Sequence, residues 1–283
     1  MANLLVIKRR IKTAQNVSKT TRAMQMISAS KLKRAQDAAL SARPYVDKLT
    51  EISTAIAKRV DSNNLNDYMK TLSDTDQKLV ILVSPDKGLC GGLNTNLTRE
   101  ALVFYRENKK TSFITVGKKA NNTVSVLGAE NIAAFDIGTT LPSYDLVYPI
   151  MKLVDDNFLS GKVSEVYIIN TYFTNLFTQK PFLKRLLPAK FENGEKENSD
   201  TIFEPSPQKI LPGLIRHYLE MSLYQSFLEN YLSEQAARML AMQNATENAK
   251  EIIEELKLKY NKKRQEKITS ELLDITGGVI ANA

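Results

Sequence analysis

The stretch Lys87-Gly88-Leu89-Cys90-Gly91-Gly92-Leu93-Asn94 lies between the apolar run KLVILVS and the segment TNLTREALVFYRE. A strand, a glycine-rich turn and a helix start in that order form a common phosphate cradle, because free backbone N–H groups and the helix dipole both favour an anion. The loop lacks the lysine and hydroxyl of GxxxxGK[ST], and its glycines do not fall in GxGxxG spacing. The alternative is a tight turn in which glycine supplies a positive φ and close packing. Cys90 could be a low-pKa thiol near a helix N-terminus. With no second cysteine and with His217 as the single histidine, it reads instead as a small buried filler. The same two counts exclude an internal disulfide and leave a histidine metal site or triad without members. His217 itself reads as a packed or surface side chain.

The charge is more informative than the loop. The chain of 283 residues carries 39 Lys and Arg against 31 Asp and Glu, a net charge of +8 that calls for an acidic partner. No acidic residue precedes Asp37, whereas Lys8, Arg9, Arg10, Lys12, Lys19, Arg22, Lys31, Lys33 and Arg34 all do. Near the other end Lys257, Lys259, Lys262, Lys263, Arg264 and Lys267 face Glu266 alone within 257 to 267. Three readings fit basic helical ends: a solvated face, a nucleic-acid reader, or a surface gripped by an acidic protein collar. SASKLKRAQ offers no aromatic ring for a base to stack on, which weighs against nucleic acid. The pairs Met24, Met26 and Met239, Met242 allow adaptable packing or a sliding surface.

The elements that must position these residues follow from periodicity. Between residues 4 and 56 there is no glycine, and Pro44 is the one proline. Leu4, Ile7, Ile11, Ala14, Ser18, Thr21, Gln25, Ser28, Leu32, Ala35, Ala39, Ala42, Val46, Leu49, Ser53 and Ile56 step by three and four. That spacing predicts one long helix lying along a partner, with small and polar residues in the seam. Residues 215 to 276 repeat the pattern through Leu228, Leu232, Gln235, Met239, Met242, Thr246, Ala249, Ile253, Leu256 and Tyr260, then slip phase to Ile268, Leu272, Ile275 and Val279. Between the helices, 78–83, 112–117, 131–137 and 165–173 read as strands and 93–107 and 144–161 as helices, with 180–189 offering one more strand. Alternation of this kind gives a Rossmann-like, mostly parallel α/β domain. The expected layout is helix 1–58, α/β domain 76–190 and helix 208–283, the two terminal helices forming an antiparallel coiled coil; 189–207 reads as an exposed loop. No run is apolar enough to span a membrane, and MANLLVIKRR reads as neither a signal nor a transit peptide.

RIKTAQNVSKTTRAMQMISASKLKRAQ, RPYV, DKGLCGGLNTNL, SEQAARMLAMQNATENA and YNKKRQEKITSELLDITGG resemble, in order, stretches of the gamma subunit family of F-type ATP synthase. The resemblance implies a central rotor shaft that enters a hexamer of three alpha and three beta subunits and stands on a ring of c subunits beside epsilon. It would couple ion flow to ATP synthesis or hydrolysis and regulate ATPase activity and proton flow, with no catalytic residue, metal or cofactor of its own. It implies contacts with the hexamer at Lys19, Arg22, Met24, Met26, Lys87, Arg264, Gln265 and Thr269, and with epsilon or the c ring at Arg43, Tyr45, Phe203 and Glu204. It also implies a peripheral location on the cytoplasmic side of a bacterial membrane, no nucleic-acid partner, and no thiol control, since the cysteine pair of the chloroplast form has no counterpart. Two other functions remain open on the residues alone: a basic coiled-coil nucleic-acid binder and a dinucleotide-dependent enzyme.

Overall fold

A computed structural model of the chain describes residues 4–60, 66–72, 75–191, 204 and 206–280. Five helices and five strands occur in it: α1 Leu4–Ala57, β1 Lys78–Val83, α2 Leu93–Glu107, β2 Thr111–Val116, α3 Lys118–Leu127, β3 Glu130–Phe135, α4 Val147–Phe158, β4 Glu165–Phe173, β5 Gln179–Leu187 and α5 Pro207–Ile280. The chain divides into two compact units, Met1–Ser28 with Arg238–Ala283, and Ala29–Ala237.

In the first unit the ends of α1 and α5 pack together. Thr21 Oγ1 lies 2.7 Å from Thr246 Oγ1, and Met242, Thr246 and Ala249 are buried beside the small α1 residues. Every position of the predicted seam from Leu4 to Ser28, and from Met239 to Tyr260, is buried or half-buried. The phase slip in α5 has a simple cause. An antiparallel register with Thr21 opposite Thr246 brings Leu4 to about Lys263, so later residues of α5 lie past the start of the described α1. Ile268, Leu272 and Leu273 are accordingly exposed by 47%, 58% and 65%.

The second unit is built on a sheet of order β3-β2-β1-β4-β5, parallel except for the antiparallel β5. Both faces are covered, which is why KLVILV is an unbroken apolar run rather than an alternating one. Val80, Leu82, Phe113 and Ile169 pack against Leu97, Ala101 and Phe104 of α2 and Ala120 and Val124 of α3. Leu79, Ile81, Ile114, Val166 and Ile168 face α4 and α5 on the other side. There Leu211, Ile215, Leu219, Leu223 and Phe227 step by four along α5, a second stripe distinct from the one that meets α1. Burying each such side chain contributes about 1.5–3 kcal/mol. The strand offered by 180–189 is present as β5, the helix expected from residue 144 begins with a 3-10 turn at Tyr144–Leu146, and α3 was not foreseen. Most of the polar stretch 189–207 lies outside the described residues.

At the start of β4, Lys78 Nζ lies 3.1 Å and Arg185 3.5 Å from the Glu165 carboxylate, to which Tyr167 also donates. Burial pushes Glu165 up, but the hydrogen bonds of Lys78 and Tyr167 and the charges of Lys78 and Arg185 outweigh it and hold the carboxyl below its ordinary 4.5. A depressed folded-state pKa stabilises the fold above the unfolded value and is lost as pH falls through the folded one. Glu165→Gln should therefore flatten the dependence of melting temperature on pH below about 4.5, while at pH 7 it lowers the melting point. Melts of the full chain between pH 3 and 7 check this; an unchanged slope refutes it.

Candidate functional site

The glycine loop is a tight turn into α2, and the chain itself supplies an anion at the start of the next helix, α3. Gly91 takes φ +57, and the other left-handed residue is not a glycine but Leu89, at φ +62 with its side chain 61% exposed. Cys90 is buried against Leu93 and Ala237, and Asn94 Nδ2 donates to its sulfur at 3.3 Å. Gly92 begins α2 with no side-chain cap. The adjacent helix start is satisfied internally: the Asp86 carboxylate accepts from Lys118 N at 2.8 Å and Gly138 N at 2.7 Å, and Ser84 Oγ accepts from Ala120 N at 2.5 Å. A carboxylate thus sits where the N-terminus of α3 would otherwise hold a phosphate.

The second place to look is the topological switch point. The chain leaves β1 toward β2 and β3 and returns on the other side as β4, so the crevice for a ligand lies past the C-terminal ends of β1 and β4. Polar residues of α5 fill it. Asn230 Oδ1 accepts from Thr171 N at 3.4 Å, Ser233 Oγ donates to Thr171 O at 3.3 Å, and Asn170 Nδ2 donates to Ser226 O at 3.2 Å. The start of α3 and the switch point are thus both met by side chains of the chain itself. Among the described residues no cluster of His, Cys, Asp and Glu could hold a metal ion, and no helix is long and apolar enough to cross a membrane.

What the fold does present is charge on helices. Lys19, Arg22 and Met26 are exposed and Met24 is half-buried on α1; Arg264, Gln265 and Thr269 are exposed on α5. All belong to the first unit, but the register sets the two groups roughly 30 Å apart along the helices at 1.5 Å per residue. Lys87 is exposed in the second unit. Arg43 is half-buried and ion-paired with Glu229 at 2.7 Å, so its charge is already committed within the chain. Tyr45 is exposed, its hydroxyl 2.8 Å from His217 Nε2. Glu204 is exposed, and Phe203 lies outside the described residues. Sequence reasoning passed over Asp86, in the bend after β1, and over Glu229, Asn230 and Ser233 on α5; a polar residue inside a helical pattern reads as solvated, and nothing local marks the last three as buried.

A groove in the second unit is lined by Tyr45, Tyr144, Tyr148, Tyr224, His217 and Glu220 among others. Tyr144 and Tyr148 meet edge to face at 5.2 Å, and Tyr144 and Tyr224 at 5.4 Å. Burial first, then the charge and hydrogen bond of Glu220, push the Tyr144 hydroxyl well above its ordinary value, which keeps it a donor to Glu220.

Comparison with known proteins adds a family. Residues 3–281 match the family described as ATP synthase. The chain is 42% identical to the ATP synthase gamma chain of Dehalococcoides mccartyi over 285 residues, covering 100% of both chains. It is 38% identical to that of Paraburkholderia phytofirmans, covering 99% of this chain and 100% of the relative. Among solved structures, one from the mitochondrial ATP synthase of Euglena gracilis superposes with TM-score 0.68 at 18% identity, covering 98% of this chain and 94% of that one. A central stalk chain from Tetrahymena thermophila gives 0.59 at 22% identity over 80% and 99%. Both likenesses show the same fold.

Proposed function

The chain belongs to the ATP synthase gamma chain family, the central stalk of the F-type enzyme, and from that membership we propose that it is the rotor shaft of the complex. It couples ion flow through a ring of membrane c subunits to synthesis or hydrolysis of ATP on an alpha and beta hexamer, and through that coupling regulates ATPase activity and proton flow. It carries no catalytic group and needs no cofactor. The observation that carries this reading is the helix pair itself: an exposed basic stretch on α1 and the end of α5 continuing past its partner. Long-range attraction of lysine and arginine to acidic collar residues does not demand one fixed register, and charges on mobile stems let contacts form and break as the shaft turns.

On this reading Lys19, Arg22, Met24 and Met26, with Arg264, Gln265 and Thr269, meet the hexamer, and Lys87 meets its moving levers. Arg43, Tyr45, Phe203 and Glu204 serve the foot, beside epsilon and the c ring. The division into helix 1–58, α/β domain 76–190 and helix 208–283 then separates shaft from foot. The chain is held at the cytoplasmic face of the membrane through the c ring alone. Affinity purification of the tagged chain from detergent-solubilised membranes tests the reading; recovery without alpha, beta and c subunits overturns it.

Met24→Lys is expected to lower the ions pumped per ATP hydrolysed while leaving the melting temperature of the free chain nearly unchanged. The side chain is half-buried, so a lysine can reach solvent. There it adds an ion pair worth up to about 1 kcal/mol, enough to prolong one rotary dwell about fivefold. Pumping per ATP in reconstituted vesicles is the readout, and a wild-type ratio refutes the sliding role of this residue.

A further inference from the structure

β4 outruns its neighbour. β1 pairs with β4 only as far as Ile169, whereas β4 continues to Phe173. Residues 171 and 173 present their amides to the same edge, where a strand is missing. Helix α5 takes its place: Thr171 N donates to Asn230, Phe173 N donates to Glu229 Oε2 at 3.4 Å, and Thr171 O accepts from Ser233. The other oxygen of Glu229 turns to α1, accepting from Arg43 Nε at 2.8 Å and from Gln225 Nε2 at 3.0 Å. The Arg43 guanidinium lies 5.4 Å from the centroid of Tyr172 on β4. A single carboxylate, 4% exposed, therefore joins α1, α5 and β4.

This cluster is not arranged for greatest stability. Thr171 Oγ1, Asn170 Oδ1 and Asn230 Nδ2 are buried beside it without a partner among the described residues, and a buried ion pair commonly gains little over well-packed apolar side chains. Its benefit is directional. Apolar packing is non-directional and can be remade in a shifted register, but a shift of α5 by one residue would leave a buried carboxylate and two strand amides unpaired.

We propose that Glu229, with Arg43, Asn230 and Ser233, is the rotational key of the chain: it fixes α1 and α5 in one angular register on the sheet so that torque crosses without slip. This rests on the rotor reading above. Glu229 is a positioning residue and touches no nucleotide.

The test is made in the complete complex reconstituted into vesicles. Arg43→Met with Glu229→Leu replaces the pair by apolar side chains. Pumping per ATP against a steep ion gradient should fall about fivefold or more below the same variant's pumping per ATP without one, as expected where a two-state register gap has shrunk. Arg43→Lys, which keeps the charge but not the fork, should fall between. In the isolated full chain Glu229→Gln should speed hydrogen exchange at Thr171 and Phe173 by about tenfold or more. Wild-type pumping by the double variant at every load sinks the key and leaves the rotor reading standing, as does an equal loss with and without load. Should the double variant fail to assemble, wild-type pumping under load by Arg43→Lys, or unchanged exchange, sinks it as well. Pumping that persists in complexes lacking this chain removes the rotor reading first.

Discussion

Glu229→Leu alone should cost the free chain about 3–5 kcal/mol, the penalty for leaving one partner of a buried ion pair without the other. The number is large because three donors lose their acceptor together: Arg43 Nε, Gln225 Nε2 and Phe173 N. For Arg43 the loss is sharpest. Burial by itself lowers its pKa, and the hydrogen bond and charge of Glu229 reverse that, raising it above the ordinary value. Adding Arg43→Met should return most of the loss, since an apolar pair of similar volume is commonly neutral. Denaturant unfolding of the single and double variants gives the cycle directly. If the single substitution costs less than about 1 kcal/mol, the carboxylate is not the junction described above.

Gly117→Ala should be almost as damaging, at about 3–4 kcal/mol, out of a total stability that for ordinary proteins is 5–15. Gly117 ends β2 at φ +99, a conformation closed to other residues, and a Cβ there would lie 2.0 Å from the carbonyl oxygen of Ser84. That oxygen belongs to backbone and cannot swing aside. Ser84 also caps α3, and Gly117 N donates to Phe135 O at 2.7 Å, so the clash disturbs β1, β2, β3 and α3 at once. Gly88, by contrast, has open space where a Cβ would go, and Gly88→Ala should be mild. The glycines that look most like a motif are thus less constrained than one outside it. Thermal melts of the two variants compare them, and equal losses contradict this ranking.

Each legible part of this fold was one in which a local period reports a buried face. The α1 seam from Leu4 to Ile56 reads correctly because three-and-four spacing places every one of those side chains toward a partner, whatever that partner is. β1 and β2 read correctly because a strand covered on both faces must be apolar throughout. α3 did not, because Ala120 and Val124 are its only fully buried side chains and, apart from the half-buried Leu127, the rest of KKANNTVSVL is polar or exposed. Within α5 the stretch from Phe227 to Arg238 was illegible for the opposite reason: every residue there is buried, so no contrast between faces remains to be read.

The two seams, the strand–turn–helix alternation, the basic ends and the family motifs are legible in the residues alone, because each depends on neighbours within a few turns of the chain. Long-range packing alone sets Asp86 on the start of α3, the polar residues of α5 against the end of β4, and Arg43 on Glu229. Apolar burial is paid to any partner, so a local pattern predicts it. A buried charge is stable only against one particular partner at hydrogen-bond distance, and here that partner stands 186 residues away.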